Sequence, residues 1–294
     1  MSLRASHIGE LAVKVLRRGK PGKVTRVFGS SAYLRSGSDF VLVLWGALRS
    51  PMTINISEGR DGEEVFRVGD EWAFAGSGIR LGSKTIDVRG ASVYSSGLRD
   101  RKPIVLPPPV QLAKGAAMLK SMYDVSKFEP ALVDDVELRT FVERTLVPFA
   151  GGKQGVLYDV PRYLPLIGRG GGFTPAGDDF VAGFLAAFNY IARSRRSKQI
   201  LTPRGLLLSG TVPESAAILG YAARGFVDEV LERLLLASLG EERESFRNEL
   251  LEMARRGHTS GIDISLGVLL CEAALSDTEG RPALRGCLDA IWNT

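Results

Sequence analysis

Three consecutive prolines, Pro107, Pro108 and Pro109, separate two stretches of the chain with different periodicity. Before them, short runs rich in β-branched and aromatic residues are interrupted by turn residues such as Gly29-Ser30 and Asp61-Gly62. This pattern predicts strands at residues 23–28, 32–34, 40–45, 53–56, 64–68, 71–75, 79–81, 85–88 and 92–94. Because a proline run forms a stiff, extended spacer, we predict a domain boundary between residues 106 and 107.

After the prolines, apolar residues recur with the period of a helix. The pattern predicts helices at residues 110–125, 134–148, 175–193, 213–223, 227–239, 243–255, 260–275 and 282–292. Thr211 and Glu214 have the spacing of a capping box, with Pro213 in the first turn, and this arrangement predicts Thr211 as a helix cap. We therefore predict an α+β protein. Residues 1–106 form an N-terminal antiparallel β barrel or sandwich-like domain, and residues 107–294 form a mainly α-helical domain.

Composition excludes several classes of protein. The chain has 294 residues, of which 45% are hydrophobic, enough to bury a core in each of two domains. Its two cysteines do not suffice for a disulfide framework, and its basic residues are scattered without interleaved aromatics, which disfavours nucleic-acid binding. The first fifteen residues lack the apolar run of a signal peptide, and no stretch reaches the roughly 18 apolar residues of a membrane span. We expect a cytoplasmic protein.

Two segments of the helical half have matching sequences. With one residue gapped, both contain Gly-aromatic-Thr, a small residue and then Gly-x-Asp-x-x-x-Gly, at residues 172–183 and 257–267. Matches at this many positions indicate an internal repeat or a paired motif. The conspicuous acids of the two copies are Asp179, which follows Asp178, and Asp263.

Each copy of the motif looks like the start of a helix. Thr174 precedes Pro175 as an N-cap precedes a proline in the first turn, and Thr259 and Ser260 offer the same capping hydroxyls. The acid of each copy then lies in or near the first turn of its helix.

A glycine follows each acid by one helical turn, at Gly183 and Gly267. Glycine in a helix interior costs about 1 kcal/mol relative to alanine, so its use twice indicates close backbone approach. We predict that the two helices cross at these glycines and that their acids and N-termini open on one cleft. The competing interpretation is that first-turn acids only complement the helix dipole.

A glycine-rich loop precedes the first helix. Its amides can hold an anion, and Arg169 can add a charged donor, although no Walker motif follows. The alternative is a flexible connector. We assign substrate or anion binding to this loop and to the two helix starts: Arg169, Gly170, Gly171, Gly172, Thr174, Gly177, Thr259, Ser260 and Gly261.

The candidate catalytic residues are Asp178, Asp179, His258 and Asp263. His258 is one of only two histidines and is a candidate general acid or base, metal ligand or capping partner. The sequence contains no His-x-x-x-His pair or cysteine cluster, so no transition-metal site is predicted. The sequence assigns no definite cofactor, and a weakly held Mg²⁺ at Asp178, Asp179 and Asp263 is an open alternative.

The same residues resemble a known family. The string Gly-Gly-Gly-Phe-Thr-Pro-Ala-Gly-Asp-Asp-Phe-Val-Ala-Gly at 170–183, with Gly-His-Thr-Ser-Gly-Ile-Asp at 257–263, is similar to the AllH-like family. Residues 27–34 and 51–55 extend the resemblance toward the N-terminus. That family was formerly a domain of unknown function and is associated with a subunit of oxamate carbamoyltransferase.

The resemblance implies an enzyme subunit of ureide catabolism. The reaction moves a carbamoyl group from oxalurate to phosphate and yields oxamate and carbamoyl phosphate. The resemblance also implies companion subunits, including one similar to the α subunit of succinyl-CoA synthetase.

Two further functions stay open at this point. The first is a magnesium-dependent phosphohydrolase or phosphotransferase that uses the acids to hold the ion. The second is a non-catalytic structural subunit, in which the matched helix starts only lock two helices together. A homo-oligomer is possible in each case, and we expect neither nucleic-acid nor membrane partners.

Overall fold

The computed structural model describes residues 2–56, 65–100, 104–126, 132–152, 162–171, 174–200, 207–239, 245–276 and 282–292. The chain divides into two compact units, which are described separately. The first unit comprises Met1–Gly97 and Phe226–Glu229, and the second comprises Leu98–Gly225 and Val230–Thr294. The boundary between residues 106 and 107, as a division between two domains, stays a prediction.

The first unit is a closed β barrel. Its described strands are β1 (Ser2–Gly9), β2 (Gly22–Phe28), β3 (Ser31–Ser36), β4 (Asp39–Trp45), β5 (Thr53–Ile56), β6 (Glu71–Ala75), β7 (Gly78–Leu81), β8 (Lys84–Asp87) and β9 (Ser92–Tyr94). The order around the sheet is β5-β4-β3-β2-β6-β7-β8-β1, and the pairing of β1 with β5 closes it. Strand β9 pairs with β1 beside β8. The predicted α+β class and N-terminal barrel are confirmed, with β1–β8, β1–β9 and β4–β5 as parallel pairs.

The barrel core includes a helix that the sequence pattern did not indicate. Helix α1 (Glu10–Arg17) follows β1 and buries Ala12, Val15 and Leu16 among the strand side chains. The carbonyl oxygen of Pro51 accepts hydrogen bonds of 2.8 and 3.0 Å from the amides of Leu11 and Ala12 at the start of this helix. The connection between β4 and β5 therefore supplies the acceptor that the first turn of α1 needs.

The prediction of a strand at residues 64–68 is wrong for the residues of this range that the structure describes. Residue 64 lies outside the described residues, and residues 65–68 form no strand. The amide of Arg67 donates to Oδ2 of Asp70 at 3.0 Å, so a turn occupies this place. The apolar side chains that suggested a strand, Val65 and Phe66, are buried in the barrel core without pairing to the sheet.

The second unit is mainly helical. Its helices are α2 (Pro109–Ser126), α3 (Val136–Phe141), α4 (Val147–Ala150), α5 (Ala176–Ser194), α6 (Pro213–Ala222), α7 (Glu229–Leu239, of which Glu229 belongs to the first unit), α8 (Phe246–Ala254), α9 (Ser260–Ser276) and α10 (Pro282–Trp292). A π-helical segment, Val142–Leu146, joins α3 to α4. In their described parts these helices agree with the eight predicted ones.

Helices α5 and α9 form the centre of the helical unit. Nearly every residue of each is buried, from Gly177 to Ala192 in α5 and from Gly261 to Ala274 in α9. A helix that is apolar on all sides belongs inside a protein. In the described residues, no helix has both the length and the hydropathy that a membrane crossing needs.

Candidate functional site

Helices α5 and α9, which begin with the matching motifs, cross where each has a glycine. A Cβ atom at Gly183 would lie 2.1 Å from the carbonyl oxygen of Ile264, and one at Gly267 would lie 2.1 Å from that of Phe180. Both distances are far shorter than a van der Waals contact, so only glycine permits this approach. The predicted crossing is confirmed.

A second pair of glycines extends the repeat. A Cβ atom at Gly177 would lie 1.9 Å from the carbonyl oxygen of Leu166, and one at Gly261 would lie 1.8 Å from that of Met253. Each motif therefore includes the backbone that precedes its helix. The two copies agree in three-dimensional detail as well as in sequence.

An arginine occupies the same place in both copies. The amide of Gly177 donates to the carbonyl oxygen of Arg169 at 2.9 Å, and the amide of Gly261 donates to that of Arg256 at 3.0 Å. A Cβ atom at Gly177 would lie 3.1 Å from Cβ of Arg169, and one at Gly261 would lie 3.1 Å from Cβ of Arg256. Arg256 is thus the counterpart of Arg169.

Asp179, in the first turn of α5, is 7% exposed. Burial raises its pKa to about 8, and the nearby carboxyl of Asp263 adds to the rise. Hydrogen bonds from Ser260 and Thr174 and the charge of Arg256 act in the opposite direction. Oδ2 of Asp179 has no hydrogen-bond partner among the described residues.

Asp263, in the first turn of α9, is 0% exposed. Its Oδ1 accepts a hydrogen bond from the hydroxyl of Tyr123 in α2, and Oδ2 has no partner in the part of the chain that is described. Burial raises the pKa of Asp263 to about 7, against hydrogen bonds from Tyr123 and Thr259 that lower it. Burial and the carboxyl of Asp263 raise the pKa of Tyr123 well above its usual value, so this phenol stays protonated as a donor.

The two helix starts touch through their hydroxyl groups. Oγ1 of Thr174 and Oγ of Ser260 lie 3.3 Å apart. The expectation that Thr174 caps α5 is wrong, since Pro175 is the N-cap and no side chain bonds there. The hydroxyl instead lies at the junction of the two motifs, beside Asp179.

The comparison with known families bears on this same segment. A family model described as oxamate carbamoyltransferase subunit AllH matches residues 166–272. Over these residues the chain is similar to the AllH family. The matched segment, called the AllH segment below, begins at Leu166 and ends at Glu272, and it contains both copies of the repeat. No curated protein and no solved structure matches the chain significantly.

The resemblance drawn from the sequence is confirmed for the AllH segment. The match covers less than half of the chain and does not include residues 27–34 or 51–55, which are in the barrel. Similarity there stays a prediction. The family is one of enzyme subunits, which implies an assembly of several chains.

Both carboxylate oxygens of Asp178, the residue before Asp179, accept hydrogen bonds from other parts of the chain. Its Oδ1 accepts from the amide of Gly168 at 2.8 Å, and its Oδ2 accepts from the hydroxyl of Thr211. Burial raises the pKa of Asp178, while Thr211, Gly168 and Ser215 lower it as hydrogen-bond donors. Asp178 therefore joins two loops to the start of α5, which is a structural task.

The expected role of Thr211 changes accordingly. Val212 is the N-cap of α6 and makes no side-chain cap bond, so the prediction of Thr211 as a helix cap is wrong. The hydroxyl bonds to Asp178 because the loops before α5 and α6 are pressed together. A Cβ atom at Gly168 would lie 2.1 Å from the carbonyl oxygen of Gly210.

Two backbone amides of the glycine-rich loop in the AllH segment already donate hydrogen bonds within the chain. The amides of Gly168 and Arg169 donate to Asp178 and to the carbonyl oxygen of Leu166. Gly170 has φ +90°, a conformation that favours glycine, and Gly171 is exposed. Gly172 lies outside the described residues.

Arg169 already has acidic neighbours. Its Nε lies 3.5 Å from Oδ2 of Asp135, and Nη2 lies 3.9 Å from Oε1 of Glu137. Nε has no hydrogen-bond partner in the described part of the chain, so the pairing with Asp135 is an ion pair without hydrogen-bond geometry. Anion binding by Arg169, Gly170 and Gly171 stays a prediction.

His258 lies in the turn before α9 and is exposed, unlike the acids. The structure places it at the edge of the second motif. A catalytic role for His258 and substrate binding by Thr259, Ser260 and Gly261 stay predictions.

The three acids do not fit well the magnesium site that the sequence left as an open alternative. Within the described ranges, no three His, Cys, Asp or Glu side chains form a group that could hold a metal ion. Both oxygens of Asp178 already accept hydrogen bonds, from Gly168 and Thr211, which leaves Asp178 fewer lone pairs for a metal ion. Of the three acids, only Asp179 and Asp263 have an oxygen without a partner among the described residues, and Mg²⁺ prefers near-octahedral oxygen coordination.

Sequence reasoning did not single out Tyr123, Arg256 or Glu272. No local pattern marks Tyr123, which lies in a different helix from the acid that it contacts. Arg256 could have been found by aligning Leu166–Arg169 with Met253–Arg256 upstream of the matching glycines. Glu272 is fully buried in α9 and accepts a 2.5 Å hydrogen bond from Ser238, but its position in an apolar run gave no functional signal.

Proposed function

We propose that this chain is a subunit of a carbamoyl-transfer enzyme that acts on oxalurate and phosphate, or in reverse on oxamate and carbamoyl phosphate. Asp179 and Asp263 carry this proposal. They are buried, each has an oxygen without a partner among the described residues, and both lie inside the segment that matches the AllH family.

The chemistry of carbamoyl transfer needs a proton donor. The bond between the carbamoyl carbon of oxalurate and its amide nitrogen breaks, a bond between that carbon and a phosphate oxygen forms, and the leaving nitrogen takes a proton. A general acid works best when its pKa is near the operating pH. Burial raises the pKa of Asp179 to about 8, which suits it to protonate the leaving oxamate and to accept the proton in the reverse reaction.

The surrounding residues have supporting roles in this proposal. Tyr123 orients Asp263 through its hydrogen bond. His258, which is exposed, exchanges protons with solvent, and Arg169 with Gly170, Gly171 and Gly172 holds the phosphate group. Asp178 acts on the reaction only by holding the start of α5 in place.

The assembly and setting of the enzyme belong to the same proposal. The chain works with companion subunits, one of them similar to the α subunit of succinyl-CoA synthetase, in cytoplasmic ureide catabolism. The reaction written above needs no metal ion at Asp179 and Asp263. A magnesium ion shared with the phosphate is the alternative, and an assay in excess chelator distinguishes the two because full activity there excludes the ion.

Reconstitution tests the proposed function. The full chain is combined with its companion subunits, and carbamoyl phosphate formed from oxalurate and phosphate is measured. Asp179→Asn removes the proton donor with little change in shape, and we expect the rate to fall by roughly 100-fold or more. Glu272→Gln is the matched control, since it removes a buried carboxyl from the AllH segment outside the two motifs.

A non-catalytic role has one observation in its favour. The glycine crossing of α5 and α9 would by itself explain the repeated glycines as a lock between two helices. If Asp179→Asn and Asp263→Asn lower stability but leave turnover per folded molecule unchanged in the assembled enzyme, the motif is structural.

A further inference from the structure

The unpartnered oxygens of Asp179 and Asp263 require an explanation. Buried polar atoms in native proteins nearly always have a hydrogen-bond partner, and leaving one without a partner costs about 1–3 kcal/mol. Both atoms belong to side chains that are more than nine-tenths buried. Oε1 of Glu272 also lacks a partner among the described residues, but only the two aspartates lie in equivalent first turns of crossing helices, and this placement points to a bound group.

The charge around the two acids limits what can bind. Asp179 faces the guanidinium of Arg256, the hydroxyls of Thr174 and Ser260, and the carboxyl of Asp263. Asp263 faces the hydroxyls of Tyr123 and Thr259, and Asp134 and Asp178 are the other nearby acids on the packed elements.

A buried pair of carboxyl groups with one cationic neighbour does not ionise fully. The raised pKa values of both acids, about 8 for Asp179 and about 7 for Asp263, agree with a retained proton near neutral pH. The pair then offers one accepting oxygen and one donating hydroxyl.

This donor and acceptor pattern selects one ligand chemistry. A divalent cation needs both carboxylates ionised and further ligands, which the described residues do not bring together. A second carboxylate would be repelled by the ionised member of the pair. A primary carboxamide is neutral and planar, and it has an N–H donor beside a C=O acceptor.

We infer that Asp179 and Asp263 together bind the primary carboxamide group of oxamate, the substrate of the reverse reaction, through their Oδ2 atoms. Oδ2 of Asp179, which takes up the proton in that direction, accepts a hydrogen bond from the amide nitrogen, and Oδ2 of Asp263 donates its retained proton to the amide oxygen. The inference rests on the proposed function, in which Asp179 exchanges a proton with this same nitrogen. It assigns to the acid pair the recognition of the amide.

Oxamate and oxalate form a matched pair of probes. They share one carboxylate and differ only in whether the other end is an amide or a second carboxylate. Binding of each is measured by isothermal titration calorimetry with the full chain, alone and with its companion subunits. We expect oxamate to bind at least about 10-fold more tightly than oxalate, and magnesium chloride to give no binding that depends on the acids.

Three variants locate the binding. Asp179→Asn and Asp263→Asn should each weaken oxamate binding by about 10-fold or more, because each replaces a carboxyl, which can either accept or donate through the same oxygen, by an amide that does not titrate. Glu272→Gln, which removes another buried acid of α9 without touching the pair, should bind oxamate as the unmodified chain does. Circular dichroism of each variant checks that the helical unit is folded.

Several results would overturn the inference. These are equal binding of oxamate and oxalate, oxamate binding that survives both Asn substitutions, no oxamate binding in either setting, or Mg²⁺ binding that both substitutions abolish. The proposed function fails separately. If the assembled wild-type enzyme makes no carbamoyl phosphate while oxamate binding still depends on both acids, the reaction is wrong and the amide site stands.

Discussion

The hydroxyl groups of Thr174 and Ser260 lie 3.3 Å apart, at the starts of two helices that have the same sequence motif. The sequence predicts Thr174 as the cap of α5, but Pro175 is the N-cap and no side chain makes a cap bond there. Both hydroxyl groups contact Asp179, and the carboxyl of Asp263 in the other helix adds to the rise in the pKa of Asp179. The two copies of the motif therefore meet at Asp179.

The helix crossing depends on the absence of a side chain at Gly267. In Gly267→Ala, the new Cβ atom would lie 2.1 Å from the carbonyl oxygen of Phe180, and backbone must move to relieve this contact. We expect a loss of about 3 kcal/mol or more in the free energy of unfolding, measured by urea denaturation.

Gly220→Ala is the matched control for this substitution. Gly220 also lies in a helix, but a Cβ atom there would have no neighbour within 4 Å. Alanine should stabilise this position by about 0.5–1 kcal/mol, because it restricts the unfolded chain. Equal effects of the two substitutions would contradict a close crossing at Gly267.

The sequence predicted the parts of the fold that have a regular local pattern. Strands with alternating or β-branched residues and helices with a clear period were found, and so was the crossing at Gly183 and Gly267, because a repeated glycine is costly and therefore informative. Strand β1 and helix α1 were both missed, and α1 is short and follows directly after this strand. Residues 65–68 were wrongly predicted as part of a strand. Val65 and Phe66 are apolar because they are buried in the barrel core, and a strand would show the same apolar residues.

The sequence predicted those residues of the candidate site that belong to a local motif, but not the contacts between residues far apart in the chain. Asp179 and Asp263 were found from a motif, but the same motif ranked Asp178 equally with them. Asp178 differs from the other two acids because it accepts a hydrogen bond from Thr211, which lies thirty-three positions away in the sequence. A local sequence pattern cannot predict such a bond. Tyr123 could not be predicted for the same reason, since it lies in another helix, 140 positions before the Asp263 to which it donates.

The two acids of the tandem should respond differently to the same substitution. Asp178→Asn replaces an oxygen that accepts a hydrogen bond by an amino group that cannot, so we expect a loss of about 1–3 kcal/mol in stability at pH 7. Asp179→Asn removes a carboxyl that has an unpartnered oxygen and should cost less. Chemical denaturation of both variants measures the difference, and a greater loss for Asp179→Asn would contradict the structural role of Asp178.

Thr211 and Asp178 should be energetically coupled. Thr211→Val removes the hydroxyl that donates to Oδ2 of Asp178 and keeps the shape of the side chain. In a double-mutant cycle with Asp178→Asn, contacting residues typically show a coupling of about 0.5–3 kcal/mol, and we expect a value in this range. Additive effects of the two substitutions would contradict an energetic coupling between Thr211 and Asp178.

Glu272 should make the stability of the helical unit depend on pH. Burial raises its pKa from 4.5 to about 8, so the folded protein keeps a proton that the unfolded chain has lost between these pH values. Its contribution to the free energy of unfolding therefore falls as the pH rises through this window. Because one pKa unit corresponds to about 1.4 kcal/mol, the total change amounts to a few kcal/mol.

Glu272→Gln isolates this contribution. The amide keeps an oxygen that can accept the hydrogen bond from Ser238 and does not titrate, whereas Asp179 and Asp263 titrate equally in both proteins. We expect the stability of the variant relative to the unmodified protein to rise steadily between about pH 5 and pH 8 and then to level off. Urea denaturation at one-unit pH intervals measures this difference. A difference that stays constant across the range would show that Glu272 is ionised in the folded protein, and that the bond from Ser238 outweighs its burial.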